Sequence, residues 1–229
     1  MKVRRLIDSA LVVLVAVFLG ACASTAPTPE QVEWDGLIRQ PHPRLSAVFV
    51  RPGAREDMAA FRSVLLSPVE VSFSSNFETG RRSGSVARGL NASDMTAIQD
   101  DLAGLFRDVF REELARGGYA LVDKPGPETL KVTAAIVDLF IAAPSAAQGT
   151  GRSRIYTANT GRMTLVIELR DSVTGELLAR AVDAQAGRNS GSLQVANRVT
   201  NSGDAQRAIR VWATALRQAL DDMYARAAG

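Results

Sequence analysis

The chain has 229 residues, 46% of them hydrophobic and 22% charged, with a formal net charge of +3, one cysteine and one histidine. That content suits one globular domain or two small ones with a sizeable core, and a lone cysteine excludes a disulfide framework. The sequence pI is 9.4, but removing Lys2, Arg4, Arg5 and Asp8 with the N-terminal segment brings the charge to about +1, so strong nucleic-acid binding is not expected.

The first element is an address label. Residues 10–21, "ALVVLVAVFLGA", follow the basic "MKVRR" and make up about half of the roughly 20 apolar residues that a spanning helix needs. A positive flank, an apolar centre and small residues at the end have the layout of a secretory signal. Leu19-Gly20-Ala21-Cys22 resembles the lipobox of bacterial lipoproteins. The resemblance implies cleavage between Ala21 and Cys22, a diacylglycerol on the Cys22 sulfur and an acylated Cys22 amine. Two or more acyl chains give stable anchoring where one is marginal. Ala23 resembles the outer-membrane default of enteric lipoproteins. The expected organisation is a signal peptide over 1–21, a lipidated N-terminus and tether over 22–33 and a single domain over 34–229. Pro27 and Pro29 among small polar residues mark the tether.

From Trp34 to Met58 the density of Pro and Gly argues against a long helix, and a short strand fits at 47–50. "FRSVLLSPVEVSF", 61–73, reads as one strand whose middle Pro68 demotes to an edge, a bulge or two pieces. Residues 94–116 carry apolar side chains at helical spacing, with Ser93 as N-cap and Gly117-Gly118 as stop. Short strands follow at 119–122 and 129–140, for which a hairpin is the simplest connection. A second hairpin alternates through Met163, Leu165, Ile167 and Leu169, turns at 171–175 and returns. A closing helix over 204–226 puts Ile209, Trp212, Leu216, Leu220 and Met223 on one face.

Strand, helix, two strands, two strands, helix is not βαβ alternation. The expected fold class is α+β in two layers: a mostly antiparallel sheet of about five strands with two long amphipathic helices on one face. "GLIRQPHPRLSAVFVRPGAREDMAAFRSVLLSPVEVSF" at 36–73, with "YALVDKPGPETLKVTAAIVDL" at 119–139, resembles the bacterial lipoproteins grouped as domain of unknown function 3313. The resemblance covers nearly the whole mature chain. It implies a lipidated envelope protein of helix-on-sheet type and carries no activity with it.

Catalytic chemistry finds little to use. General acid-base and nucleophilic schemes favour His, and the single His42 lies between Pro41 and Pro43, where a solvated loop is the plain reading. No clustered ligands suggest a metal, and no cofactor is expected. "GTGRSR" at 149–154 lacks the features of a phosphate loop. The doublets Asp100-Asp101, Glu112-Glu113 and Asp221-Asp222 read as solvated helix faces; the last pair has the wrong sign for its helix end. Three long loops mix Gly and Ser with Arg. If they converge, Arg81, Arg82, Arg88, Arg152, Arg154, Arg188 and Arg198 form an anion-accepting surface.

The expected function is therefore that of a non-enzymatic, lipid-anchored envelope protein facing the periplasm. Its domain acts by binding, as an accessory component of a transport or assembly complex or as a homo-oligomer. A small-ligand or lipid carrier is the alternative, and an unrecognised hydrolase comes last.

Overall fold

Alternation dictates the centre of the molecule. In a strand, successive side chains point to opposite faces, and the odd residues Met163 to Leu169 are buried while Arg162, Thr164, Val166, Glu168 and Arg170 are not. The computed structural model describes residues 32–77, 91–141, 156–157, 161–186, 194–195 and 198–227. In chain order its elements are β1 (Val32–Glu33), β2 (Leu37–Gln40), β3 (Ala47–Val50), α1 (Ala54–Met58), β4 (Ser63–Leu66) and β5 (Glu70–Phe73), then α2 (Ala92–Arg116), β6 (Ala120–Leu121) and β7 (Thr129–Ile141). The remainder are β8 (Tyr156–Thr157), β9 (Gly161–Asp171), β10 (Leu177–Ala186), β11 (Gln194–Val195) and α3 (Arg198–Ala227).

The fold is mixed α+β. The main sheet has nine strands in the order β1-β2-β3-β10-β9-β7-β4-β6, with β5 also paired to β7. The five strands expected from sequence understate it, because short pieces of two to four residues leave too little alternation to be seen. Pairing is antiparallel from β1 across to β7, whereas β4, β5 and β6 add parallel. β8 and β11 form a separate antiparallel pair.

Pro68 acts as its chemistry requires. Leu66 pairs with Val132 and Glu70 with Ala135, so four steps on this segment face three on β7, and the residue without an N–H sits in the gap. The strand expected over 61–73 is thus two pieces, β4 and β5. The expected hairpin between β6 and β7 does not form. Ala120 and Thr129 both pair with Ser63, on opposite sides of it. With β6 only two residues long, residues 122–128 need only carry the chain across β4, two strand spacings or about 10 Å.

The second hairpin forms as expected, and its register sets Val182 opposite Val166. Its turn closes on Asp171, whose Oδ1 accepts N–H from Val173 and Thr174, and on Gly175 at φ 73°. Helix α2 begins one residue pair earlier than expected. Asn91, not Ser93, is the N-cap: its side chain accepts Asp94 N–H at 2.9 Å while Asp94 accepts Asn91 N–H at 2.8 Å. That reciprocal box satisfies two orphan donors, which Ser93 alone could not do.

Both long helices cover the same face of the sheet. Phe106, Phe110 and Leu114 of α2 and Ile209, Trp212 and Leu220 of α3 join Leu130, Val132, Ile136, Leu165 and Leu178 in one buried cluster. No described helix is long and apolar enough to cross a membrane.

Candidate functional site on the helix-free face

The opposite face of the sheet carries no described helix. Register places Ala47, Val182, Val166 and Ala135 side by side across β3, β10, β9 and β7. Each is partly exposed. This row of small and branched apolar side chains is flanked by Thr164 opposite Val137 on one side and by Glu168 opposite Thr133 on the other. An apolar row with polar neighbours suits contact with another surface.

At one end of this face, charge is buried and paired. Arg180, 7% exposed, gives Nη1 to Asp35 at 2.9 Å, and Nε and Nη2 to Glu168 Oε1 at 2.9 and 2.7 Å. Glu168 Oε2 also accepts Arg170. Burial alone would raise the Glu168 pKa, and the hydrogen bonds from Arg180 and Arg170 override it and hold the carboxyl below its usual range. The Trp34 ring lies 4.0 Å from the Arg180 guanidinium, and Phe49 meets its edge at 6.0 Å. Trp34, Asp35 and Gly36 have φ of 30°, 57° and 75°, a left-handed turn that folds the β1-β2 hairpin over Arg180. β1 starts at Val32, two residues ahead of the boundary expected at Trp34.

On the helix side, Asp183 is 3% exposed and accepts Ser46 N–H, Ser46 Oγ–H, Gln185 Nε2–H and Trp212 Nε1–H, at 2.6 to 2.9 Å. Burial would raise its pKa, but those four donors lower it. With every lone pair engaged, this carboxylate is a clamp and not a base. His42 departs from the solvated loop expected for it. It is partly buried, and Nδ1 accepts N–H from Arg44 and Leu45 at 3.2 and 3.0 Å, so the proton of the neutral ring sits on Nε2. Burial first, then the Arg44 charge, lowers its pKa.

The acidic doublets divide. Glu113 is 5% exposed, contrary to the solvated face expected of it, and accepts from Thr214, Arg116 and Arg217. Asp221 binds Tyr119 Oη–H at 2.7 Å and the Arg217 guanidinium. Its misplaced sign at the helix end is thereby explained: the Tyr119 hydroxyl and Arg217 one turn earlier on the same helix outweigh the helix dipole. These contacts tie α2 to α3 and are structural.

A cleft of about 300 Å³ opens at the sheet edge between α2 and the β4-β5 gap, lined by Leu66, Pro68, Phe106, Arg107, Arg111 and Leu121. Among the described residues, aromatic and branched side chains of the helices and the sheet pack together in one buried cluster. Among the described residues no group of three or more His, Cys, Asp or Glu could hold a metal ion. Ala21 and Cys22 lie outside the described residues, as do Arg81, Arg82, Arg88, Arg152, Arg154 and Arg188. Arg198 starts the backbone of α3, with its side chain outside that description.

The family model described as Protein of unknown function (DUF3313) matches residues 31–216. No curated protein matches the chain. Solved structures similar to it include a PelC dodecamer from Paraburkholderia phytofirmans with a single leucine-to-methionine substitution, at 11% identity, TM-score 0.35, covering 79% of this chain and 95% of that one. Another PelC dodecamer from the same organism shows 9% identity, TM-score 0.35 and coverage of 78% and 96%. A candidate lipoprotein from Caulobacter crescentus CB15 shows 15% identity, TM-score 0.34 and coverage of 77% and 96%.

Proposed function

The chain belongs to the family Protein of unknown function (DUF3313), and from that premise we propose a lipid-anchored envelope protein of non-enzymatic type whose domain works by contact with another protein. The lipobox at Leu19 to Cys22 would supply the anchor and leave the domain in the periplasm, at the outer membrane by the Ala23 rule. The observation that carries the reading is the apolar row Ala47, Val182, Val166 and Ala135 on a face with no described helix. Two-layer proteins can leave one sheet face to water, but then polar residues normally fill it. Here the centre is apolar and the charges sit at the rim, an arrangement suited to an accessory subunit of a transport or assembly complex, or to self-association.

The test is site-specific photo-cross-linking in intact cells. A cross-linker at Val166 should capture one discrete envelope protein or a second copy of the chain, and a cross-linker at exposed Arg107 on α2 should not. Equal, diffuse capture from both positions would overturn the reading. Cys22→Ser should release the mature form from membranes. The Arg-containing loops form a separate expectation: if they bind anionic lipid or cell-wall fragments, Arg152→Ala with Arg154→Ala should weaken that binding.

A further inference from the structure

The chain has two tryptophans, and they are placed in opposite ways. Trp212 is 2% exposed in the core; Trp34 is 54% exposed, a large hydrophobic side chain left in solvent. Arg180 covers one face of its ring and Phe49 its edge, so the remaining surface of the indole points away from the domain. Two non-glycine residues, Trp34 and Asp35, are held at positive φ to present it. Such conformations persist where the surroundings over-determine them, and they concentrate at working sites.

The covalent geometry says what lies opposite. Ten Cα steps separate Cys22 from Val32, which at full extension span at most about 35 Å. A domain of about 200 residues is roughly 40 Å across. A lipid on Cys22 therefore holds the β1-β2 hairpin within about 35 Å of the bilayer, a reach that lets Trp34 touch its surface. Arg39, exposed and paired in register with Phe49, adds a cation on the same face as Trp34. An indole with a neighbouring guanidinium is the pairing that settles at the headgroup level of a bilayer, the ring among the upper acyl carbons and the charge among phosphates.

We propose that Trp34, supported by Arg180 and flanked by Arg39, is a membrane contact that seats the sheet edge on the phospholipid surface to which the chain is tethered. This rests on the lipid-anchor reading above. The membrane contact fixes how the domain stands: the β1-β2 end lies down, and the apolar row beyond it is turned to the side, where a neighbour at the same surface can reach it.

The experiment uses the full-length mature protein reconstituted in phosphatidylethanolamine and phosphatidylglycerol vesicles, with and without brominated acyl chains. Brominated lipid should quench the Trp34 emission and leave a Trp34→Phe variant, which reports Trp212 alone, unchanged. Aqueous acrylamide should quench Trp34 less in vesicles than in the Cys22→Ser protein without lipid. Intact mass and vesicle flotation are measured on the same samples. Acyl mass and flotation without bromine quenching would overturn the membrane contact while leaving the anchor standing. Absence of acyl mass and of flotation would remove both.

Discussion

The indole N–H of Trp212, at the middle of the last helix, donates to the carboxylate of Asp183 on β10 at 2.8 Å, and through the same carboxylate the helix is joined to Ser46 in the loop before β3. Three elements distant in sequence meet on one buried charge. Asp183→Ala removes the shared acceptor of four hydrogen bonds and leaves the buried Trp212 N–H unpaired, and should destabilise the domain by about 3 kcal/mol; Trp212→Phe should cost about 2 kcal/mol. The double variant should fall short of the sum by about 1 kcal/mol in urea unfolding, and simple additivity would show that the two groups are not coupled.

Acidification should act in two stages. His42 is depressed by burial and by Arg44 below its ordinary 6.5, so the unfolded chain binds its proton first. Its contribution is complete above pH 6.5 and is lost as pH falls through the folded-state value. Glu113, Glu168 and Asp183 are also depressed, and their contributions persist above the ordinary carboxylate values and disappear below them. Urea midpoints from about pH 8 downwards should decline in both windows. His42→Gln should flatten the first and leave the second.

Glu113 should matter far more than its partner Arg116. Glu113→Ala strips two arginines and Thr214 of a buried acceptor and should cost roughly 3 kcal/mol. Arg116 is half exposed, and Arg116→Ala should change stability by under about 1 kcal/mol. Thermal unfolding of both variants decides between this ordering and its reverse.

The two glycines after α2 should respond for different reasons. A Cβ at Gly117 would lie 2.5 Å from the Tyr119 ring and 3.0 Å from Arg217 Cγ, and Tyr119 is held by Asp221, so the ring has no free retreat. Gly117→Ala should cost about 2 kcal/mol through overpacking. Gly118 has open space around it and a φ of 79°, so Gly118→Ala should cost about 1 kcal/mol from backbone strain alone. Gly118→Asn, which tolerates that φ, should recover part of the loss, whereas Gly117→Asn should not.

Long periodic elements are legible because periodicity needs length to show. β7, β9 and both long helices repeat their burial over ten residues or more, and Pro68 divides its strand where its missing N–H requires. The strands of two to four residues are not legible, since their places come from pairing with distant segments. The sequence misplaces the N-cap because Asn91 and Ser93 have similar capping chemistry, and the reciprocal bond to Asp94 decides between them. Glu113 is misread for a related reason: its neighbours along the helix show a charged face, while Thr214 and Arg217 arrive from a distant part of the chain. The Trp34 site leaves a trace in the sequence, a bulky aromatic before Asp-Gly in a breaker-rich stretch. Its partner Arg180 looks like one more charge on a hairpin strand until register sets it beside Glu168.

β3 joins the sheet through β10, Ala47 opposite Val182. Synthesis proceeds from the N-terminus, so the opening segments must wait for residues roughly 130 positions downstream before they have a ladder to complete, and contacts of that sequence separation form slowly. A nascent chain paused or cut after β9 would carry β2 and β3 as an orphaned ribbon with its apolar side bare. Quality control of this protein thus turns on its second half: the early hairpin, tether and all, is secured late.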